Sequence, residues 1–173
     1  MIAIEKNSII LIGMPGVGKS SLGKKIAHAL NLEFSDTDLL IEEKVDCTLQ
    51  EFINQQGEEA FLKIEEEVIR NLKKDQKVLA PGGSLIYNQS LLEDLKKESF
   101  FLYLNDDLVA IQNRIPNIKD RGIIGLGDKS FSELYEERRE LYEKYSDYTL
   151  DYKGKNWSDC LEEALSELRP IFT

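Results

Sequence analysis

Short runs of consecutive apolar residues alternate along the chain with longer stretches whose apolar positions recur every three or four residues. Ser8-Ile9-Ile10-Leu11-Ile12 runs without interruption into Gly13, the pattern of a strand buried on both faces. From Lys19 to Leu30, the residues Leu22, Ile26 and Ala29/Leu30 mark one face of a helix. Leu32 to Ser35 reads as a short strand stopping at Asp36, followed by helices at 38–45 and 48–56, with Gly57 as a break. Phe61, Ile64, Val68 and Leu72 then stripe a helix over 58–72. Lys77–Ala80, Phe100–Leu104 and Tyr148–Tyr152 complete the strands, Phe131, Leu134, Leu141 and Tyr145 stripe a helix from Ser130, and Cys160–Leu168 is a last helix. Strands separated by helices predict an α/β fold, a three-layer α/β/α sandwich around a central parallel sheet of about five strands.

The pattern is continuous enough to expect one domain over 1–173, with an acceptor-binding helical segment at about 38–72. The one long irregular stretch, 114–129, carries Pro116, Gly122, Gly125 and Gly127. A loop of that length in a compact domain is ordinarily a lid or binding loop, and Ile118, Ile123, Ile124 and Leu126 give it something to bury. We therefore expect a mobile lid.

Composition narrows the partners. The formal charge is −10 and 42% of residues are hydrophobic, so there is ample core material, and the acidic surface argues against nucleic acid and anionic lipid. No apolar run approaches a membrane span, and the N-terminus lacks the features of a signal peptide. Cys47 and Cys160 are too few for a disulfide framework, and His28 stands alone. The expectation is a soluble, cytoplasmic monomer acting on a small molecule, with Cys47 and Cys160 as inert core thiols, His28 on the surface and Trp157 packing at the final loop.

Chemistry concentrates after the first strand. Gly13-Met-Pro-Gly16-Val17-Gly18-Lys19-Ser20 fits G-x-x-x-x-G-K-[ST] between a strand and a helix, the context that identifies a phosphate loop. Its glycines let backbone N–H groups turn inward around a phosphate, and the following helix adds the positive end of its dipole. Gly13, Gly16, Val17, Gly18, Lys19, Ser20 and Ser21 are thus candidates for holding ATP, with Lys19 on the β/γ-phosphates and the Ser20 hydroxyl on Mg²⁺. No Asn-Lys-x-Asp guanine-reading segment is present, and the chain is too short for a motor, which leaves a small-molecule kinase.

Asp36 and Asp38 close the second strand, where ligand sites of doubly wound sheets gather; helix capping is the alternative reading. Arg138 falls on the apolar stripe of its helix, where a guanidinium needs a carboxylate or an anionic ligand. Arg121 lies in the expected lid, placed to swing over a γ-phosphate, and Arg114 at its base is placed to stack on adenine. Glu65-Glu66-Glu67 and Glu136-Glu137 are expected to be solvated helix faces.

Together these residues resemble the shikimate kinase family: the phosphate loop, Asp36-Thr37-Asp38, Gly57-Glu58-x-x-Phe61-x-x-x-Glu65, Gly82-Gly83, Arg114 and Arg121, and Arg138-x-x-Leu141-Tyr142. The resemblance implies ATP-dependent phosphorylation of the 3-hydroxyl of shikimate, in aromatic amino acid biosynthesis. It implies Lys19, Asp38 and Arg121 as catalytic groups and Ser20 and Asp36 at Mg²⁺. It further implies Asp38, Gly82, Gly83 and Arg138 around the acceptor, with Arg138 on its carboxylate. The chain departs from the family at Leu62, where an arginine shares the carboxylate clamp, at Ser84 in place of a third glycine, and at Gly122 and Glu140 in place of prolines. One missing charge-assisted hydrogen bond of about 1.5–3 kcal/mol weakens acceptor binding by about 10- to 100-fold. Lys63 is rotated by about 100° from that position, and Glu140 is expected to offset Arg138. A paralogous kinase for another polyol or hydroxy acid, a nucleoside monophosphate kinase, and a nucleotide-binding module without transfer are the alternatives.

Overall fold

The computed structural model describes residues 6–73, 75–115, 117–118 and 122–172. The chain runs β1 (Ser8–Ile12), α1 (Lys19–Leu30), β2 (Glu33–Asp36), α2 (Thr37–Val45), α3 (Leu49–Gln56), α4 (Glu58–Asn71) and β3 (Lys77–Ala80). A 3₁₀ helix (Gly83–Tyr87) follows, then α5 (Gln89–Glu98), β4 (Ser99–Asn105), α6 (Leu108–Arg114), α7 (Phe131–Tyr145), β5 (Tyr148–Asp151) and α8 (Trp157–Phe172).

The strands form one five-stranded sheet in the order β2-β3-β1-β4-β5, with every pairing parallel. Ser8 stands opposite Lys77 on one side and Ser99 on the other. All five β1 residues are buried, as a strand covered on both faces must be. Helices α1 and α8 pack on one another, with α1 also against β3, while α5 and α7 pack against β4. The strand order reverses beside β1, which opens a crevice at the carboxyl ends of β1, β2 and β3.

Local sequence sets each approach to that crevice. Helix α1 turns Leu22, Ile26, Ala27 and Leu30 inward, and a Cβ on Gly23 would come within 2.7 Å of the Phe34 ring and 2.8 Å of Leu11. Only a glycine lets α1 lie that close to the sheet. Helix α7 opens with a capping box between Ser130 and Glu133, which fixes the start of the helix that carries Arg138. Helices α2–α4 carry a smaller apolar cluster of Ile41, Phe61 and Val68, joined by Ile124 and flanked by Phe52, Leu62 and Ile64.

The sequence pattern anticipates the strands and the long helices. It misses α5, α6 and the 3₁₀ helix, and it starts α8 three residues late. Helix α6 is only seven residues long, and Ile111 is its one buried residue, so its periodicity is too brief to read. Among the described residues no helix is long and apolar enough to cross a membrane.

Leu102, fully buried in β4, reports on this packing. Leu102→Ala is expected to lower unfolding free energy by about 2–5 kcal/mol, read from the urea midpoint at unchanged m-value.

Candidate active site

The turn after β1 leaves no room for side chains. A Cβ on Gly13 would stand 2.7 Å from the Leu104 carbonyl oxygen, and one on Gly16, at φ +79°, 2.5 Å from Ile115. Val17 is fully buried beneath the turn. Gly18 caps α1 in the left-handed region with no side-chain cap, so no capping side chain occupies the first N–H groups of α1, which a helix-terminus anion site leaves for its ligand. Lys19 Nζ donates to the carbonyls of Gly13 at 2.9 Å and Met14 at 3.1 Å, which lays its ammonium along the turn. Burial lowers its pKa to about 8, against the pull of Asp38.

The two aspartates stand beside this turn. The Ser20 hydroxyl donates to Asp36 Oδ2, while Asp36 Oδ1 accepts from the Asp38 backbone N–H at 3.1 Å. The capping reading holds for one carboxylate oxygen of Asp36, which caps α2, while the other accepts from Ser20. A hydroxyl and a carboxylate side by side at a phosphate cradle are hard oxygen donors of the kind Mg²⁺ takes, with phosphates and waters filling the remaining positions. Asp38 Oδ1 is buried without a hydrogen-bond partner and lines the cleft. Burial pushes its carboxyl up to about 6, Lys19 opposing.

The opposite wall follows β3. A Cβ on Gly82 would lie 2.9 Å from Glu65 and 3.1 Å from Asp38, and one on Gly83 2.5 Å from Arg138. The two glycines thus bring the acids and the guanidinium around a single backbone step. Arg138 is 1% exposed. It donates to the Ile124 carbonyl and, at 3.3 Å, to Tyr87 Oη, and its guanidinium lies 5.1 Å from the Tyr87 ring centre. No carboxylate pairs with it among the described residues, so the buried ion pair considered for this position is not formed. Tyr142 Oη, donating to the Gly83 carbonyl at 3.0 Å, braces the same step.

Several expectations are corrected here. Glu65, read as part of a solvated run, is 2% exposed and accepts from Ser84 Oγ at 2.9 and 3.0 Å; Glu66 and Glu67 do pair on the outer face, with Arg70 and Lys44. Burial pushes the Glu65 carboxyl up to about 8, the Ser84 hydrogen bond opposing. Glu140 is exposed while Arg138 is buried, because residues two apart on a helix point in different directions, so it offsets nothing. Lys63 is exposed and paired with Glu59, and Leu62 packs in the satellite cluster; neither brings a cation to the cleft. Cys160 is buried but Cys47 is only partly so.

Lys19, Ser20, Ser21, Asp36, Asp38, Gly82, Gly83 and Arg138 line one cleft of about 330 Å³. Arg114 stands apart, 2.7 Å from Asp106, in an adjoining cleft of about 250 Å³ with Tyr152 and Trp157. Trp157, expected as packing at the final loop or as a neighbour of the nucleotide base, is 42% exposed, with its ring edge 3.0 Å from where a Gly18 Cβ would be. Arg121 lies outside the described residues. Sequence reading missed Tyr87 and Tyr142 as supports of Arg138, and the only signal for Glu65 was its spacing from Gly57.

The chain is similar to known proteins over most of its length. A family model described as shikimate kinase matches residues 15–169. The chain is 34% identical over 161 residues to a shikimate kinase of Caldanaerobacter subterraneus, covering 91% of this chain and 94% of the relative. It is 41% identical over 142 residues to one of Clostridium botulinum, covering 79% and 83%. Among solved structures, the shikimate kinase of Acinetobacter baumannii in complex with shikimate superposes with a TM-score of 0.81 at 28% identity, covering 96% of this chain and 93% of that one. A gluconokinase of Sinorhizobium meliloti, at 20% identity and a TM-score of 0.61, shares the fold.

The buried Glu65 has a consequence for stability. Burial holds its folded pKa above the ordinary carboxylate value of about 4.5, so the folded state holds a proton that the unfolded chain releases, and stability falls as pH rises between about 5 and about 8. Glu65→Gln is expected to remove that part of the slope, measured by thermal melts across the range.

Proposed function

Because this chain belongs to the shikimate kinase family, its reaction is ATP-dependent phosphotransfer to a hydroxyl group, and we propose shikimate as the acceptor and the cleft between the Gly13–Ser20 turn and Arg138 as the site of transfer. The observation that carries this reading is the convergence, in one cleft, of the phosphate cradle, an unpartnered Asp38 oxygen and a buried guanidinium that has no carboxylate partner among the described residues. A cradle alone fits any nucleotide-binding protein; the other two features need an acceptor bearing both a hydroxyl and an anionic group.

The backbone N–H groups of the turn and the start of α1 hold the triphosphate, and Lys19 follows the charge that spreads over the transferring phosphoryl group. Ser20 and Asp36 would hold Mg²⁺, which when bound neutralises charge on the phosphates. Asp38 accepts a hydrogen bond from the acceptor hydroxyl, orients it in line with the γ-phosphate and receives its proton. Arg138 takes the acceptor carboxylate, held in place by Tyr87 and the Ile124 carbonyl. Arg121 is assigned to the transferring phosphoryl group and Arg114 to the adenine side by resemblance to the family.

An ADP-release assay with Mg²⁺ and ATP against shikimate, other hydroxy acids, polyols and nucleoside monophosphates tests the acceptor; turnover of any of these but not of shikimate would overturn the reading. Lys19→Ala is expected to lower kcat by at least about 10³-fold and Asp38→Asn by about 10²- to 10⁴-fold, each with an unchanged melting profile. Leu62→Arg, which restores a second cation beside the acceptor, is expected to lower the KM for shikimate by about 10- to 100-fold and leave the KM for ATP in place.

A further inference from the structure

One buried ionisable group directly behind the cleft wall has no part in the chemistry above: its hydrogen-bond donor, Ser84, lines the cleft. Glu65 faces inward from α4 and is 2% exposed. Its hydrogen-bond donor is Ser84 Oγ, at 2.9 and 3.0 Å from its two oxygens, and a hydroxyl has a single proton to share between them. Leu62, one turn earlier on the same helix, packs with apolar neighbours, so α4 presents no cation to it. Gly82 brings the Glu65 and Asp38 oxygens close to one another, and Gly83 brings in Arg138.

We propose that Glu65 is a specificity-determining positioning residue whose proton is part of acceptor recognition: the neutral Glu65–Ser84 pair leaves Arg138 uncompensated, and ionisation of Glu65 expels an anionic acceptor. This rests on the reading that the acceptor carries a carboxylate. Arg138 gives the acceptor half of the cleft one positive charge, and Asp38, at the hydroxyl end, one negative charge. With Glu65 neutral, the guanidinium meets the incoming anion unopposed from its own side; with Glu65 ionised, a second carboxylate makes this half net negative and stands across the Gly82–Gly83 step from the anion.

The groups that face Glu65 leave room for this titration. Asp38 on α2 favours its neutral form, while Arg138 on α7 and Lys19 on α1 favour the charged form less strongly than burial opposes it. Tyr142 on α7 is pushed up to about 12 by burial and stays neutral throughout. Glu51 on α3 is exposed and turned back to Thr48. The outer acids of α4 are paired on its far side, Glu66 with Arg70 and Glu67 with Lys44.

The test is the pH dependence of the KM for shikimate between about pH 7 and 9.5, above the titration of Asp38, from ADP release at saturating Mg²⁺ and ATP, conditions under which the triphosphate keeps Lys19 protonated. In the wild type, KM is expected to be level up to about pH 8 and then to rise up to tenfold per pH unit, with the KM for ATP not following. Glu65→Gln, neutral at every pH, is expected to hold the low-pH value across the range. Ser84→Ala removes a hydrogen bond that favours the charged form, so its rise is expected at higher pH. A level wild-type KM, or a Glu65→Gln KM that rises in step with the wild type, would overturn the proposal. Should the Gln variant melt early, the Ser84→Ala profile decides, and an unmoved rise overturns it. Absence of shikimate turnover at every pH would instead count against the acceptor reading, which separates the two failures.

Discussion

The site depends on how tightly the turn after β1 is walled. Three elements distant in sequence press on it: the Leu104 carbonyl of β4 against Gly13, Ile115 beyond α6 against Gly16, and Trp157 at the start of α8 against Gly18. A triphosphate is held by backbone N–H groups only where no side chain intervenes, and here the absence of side chains is enforced by neighbours rather than by the turn itself. Any shift of β4 relative to β1 would reach the cradle directly, because close-packed interiors transmit displacement. The Gly13–Ser20 turn between β1 and α1 is therefore a product of the whole sheet, down to the last helix.

Around that turn, charge is held under strain. Lys19 is lowered to about 8, Asp38 raised to about 6 and Glu65 raised to about 8, with burial the leading cause in each case. All three are displaced toward neutrality, which is how buried charges without close partners behave. A cluster of such shifts in and behind one cleft is the pattern of a site that ligands complete. In the function proposed above, the phosphates are the counter-charge for Lys19 and the acceptor anion is that for Arg138. Each ligand strengthens the charged form of the group it meets, so binding and protonation in this cleft are linked.

Much of this was legible in the residues. The phosphate loop is local, so its spacing carries the geometry, and Asp36 and Asp38 stand at a strand end, where topology decides proximity. Arg138 stood out because a guanidinium on an apolar stripe contradicts its surroundings, and the structure buries it as that conflict requires. Glu65 did not, because three consecutive glutamates read by composition as a solvated face, whereas consecutive residues on a helix point about 100° apart and only the first turns inward. The pairing of Glu65 with Ser84 joins positions 19 apart in sequence, through the packing of α4 on the 3₁₀ helix. No periodicity encodes such a contact.

The departures at 62 and 84 then read as one change. An arginine at 62 would stand one turn from Glu65, at a spacing where opposite charges on a helix meet, and would keep that carboxylate ionised. With leucine there the cation is gone, and an ionised Glu65 would be a buried carboxylate without a close cation, a costly state. A serine at 84 supplies the hydroxyl that a glycine cannot, and a proton supplies the rest. Removing Ser84 alone would withdraw Glu65's one donor, while replacing Glu65 by an apolar residue would strand the Ser84 hydroxyl, which is 4% exposed. Each of the two residues makes the other tolerable, and together they keep a second carboxylate charge away from Arg138, at the cost of making that balance sensitive to pH.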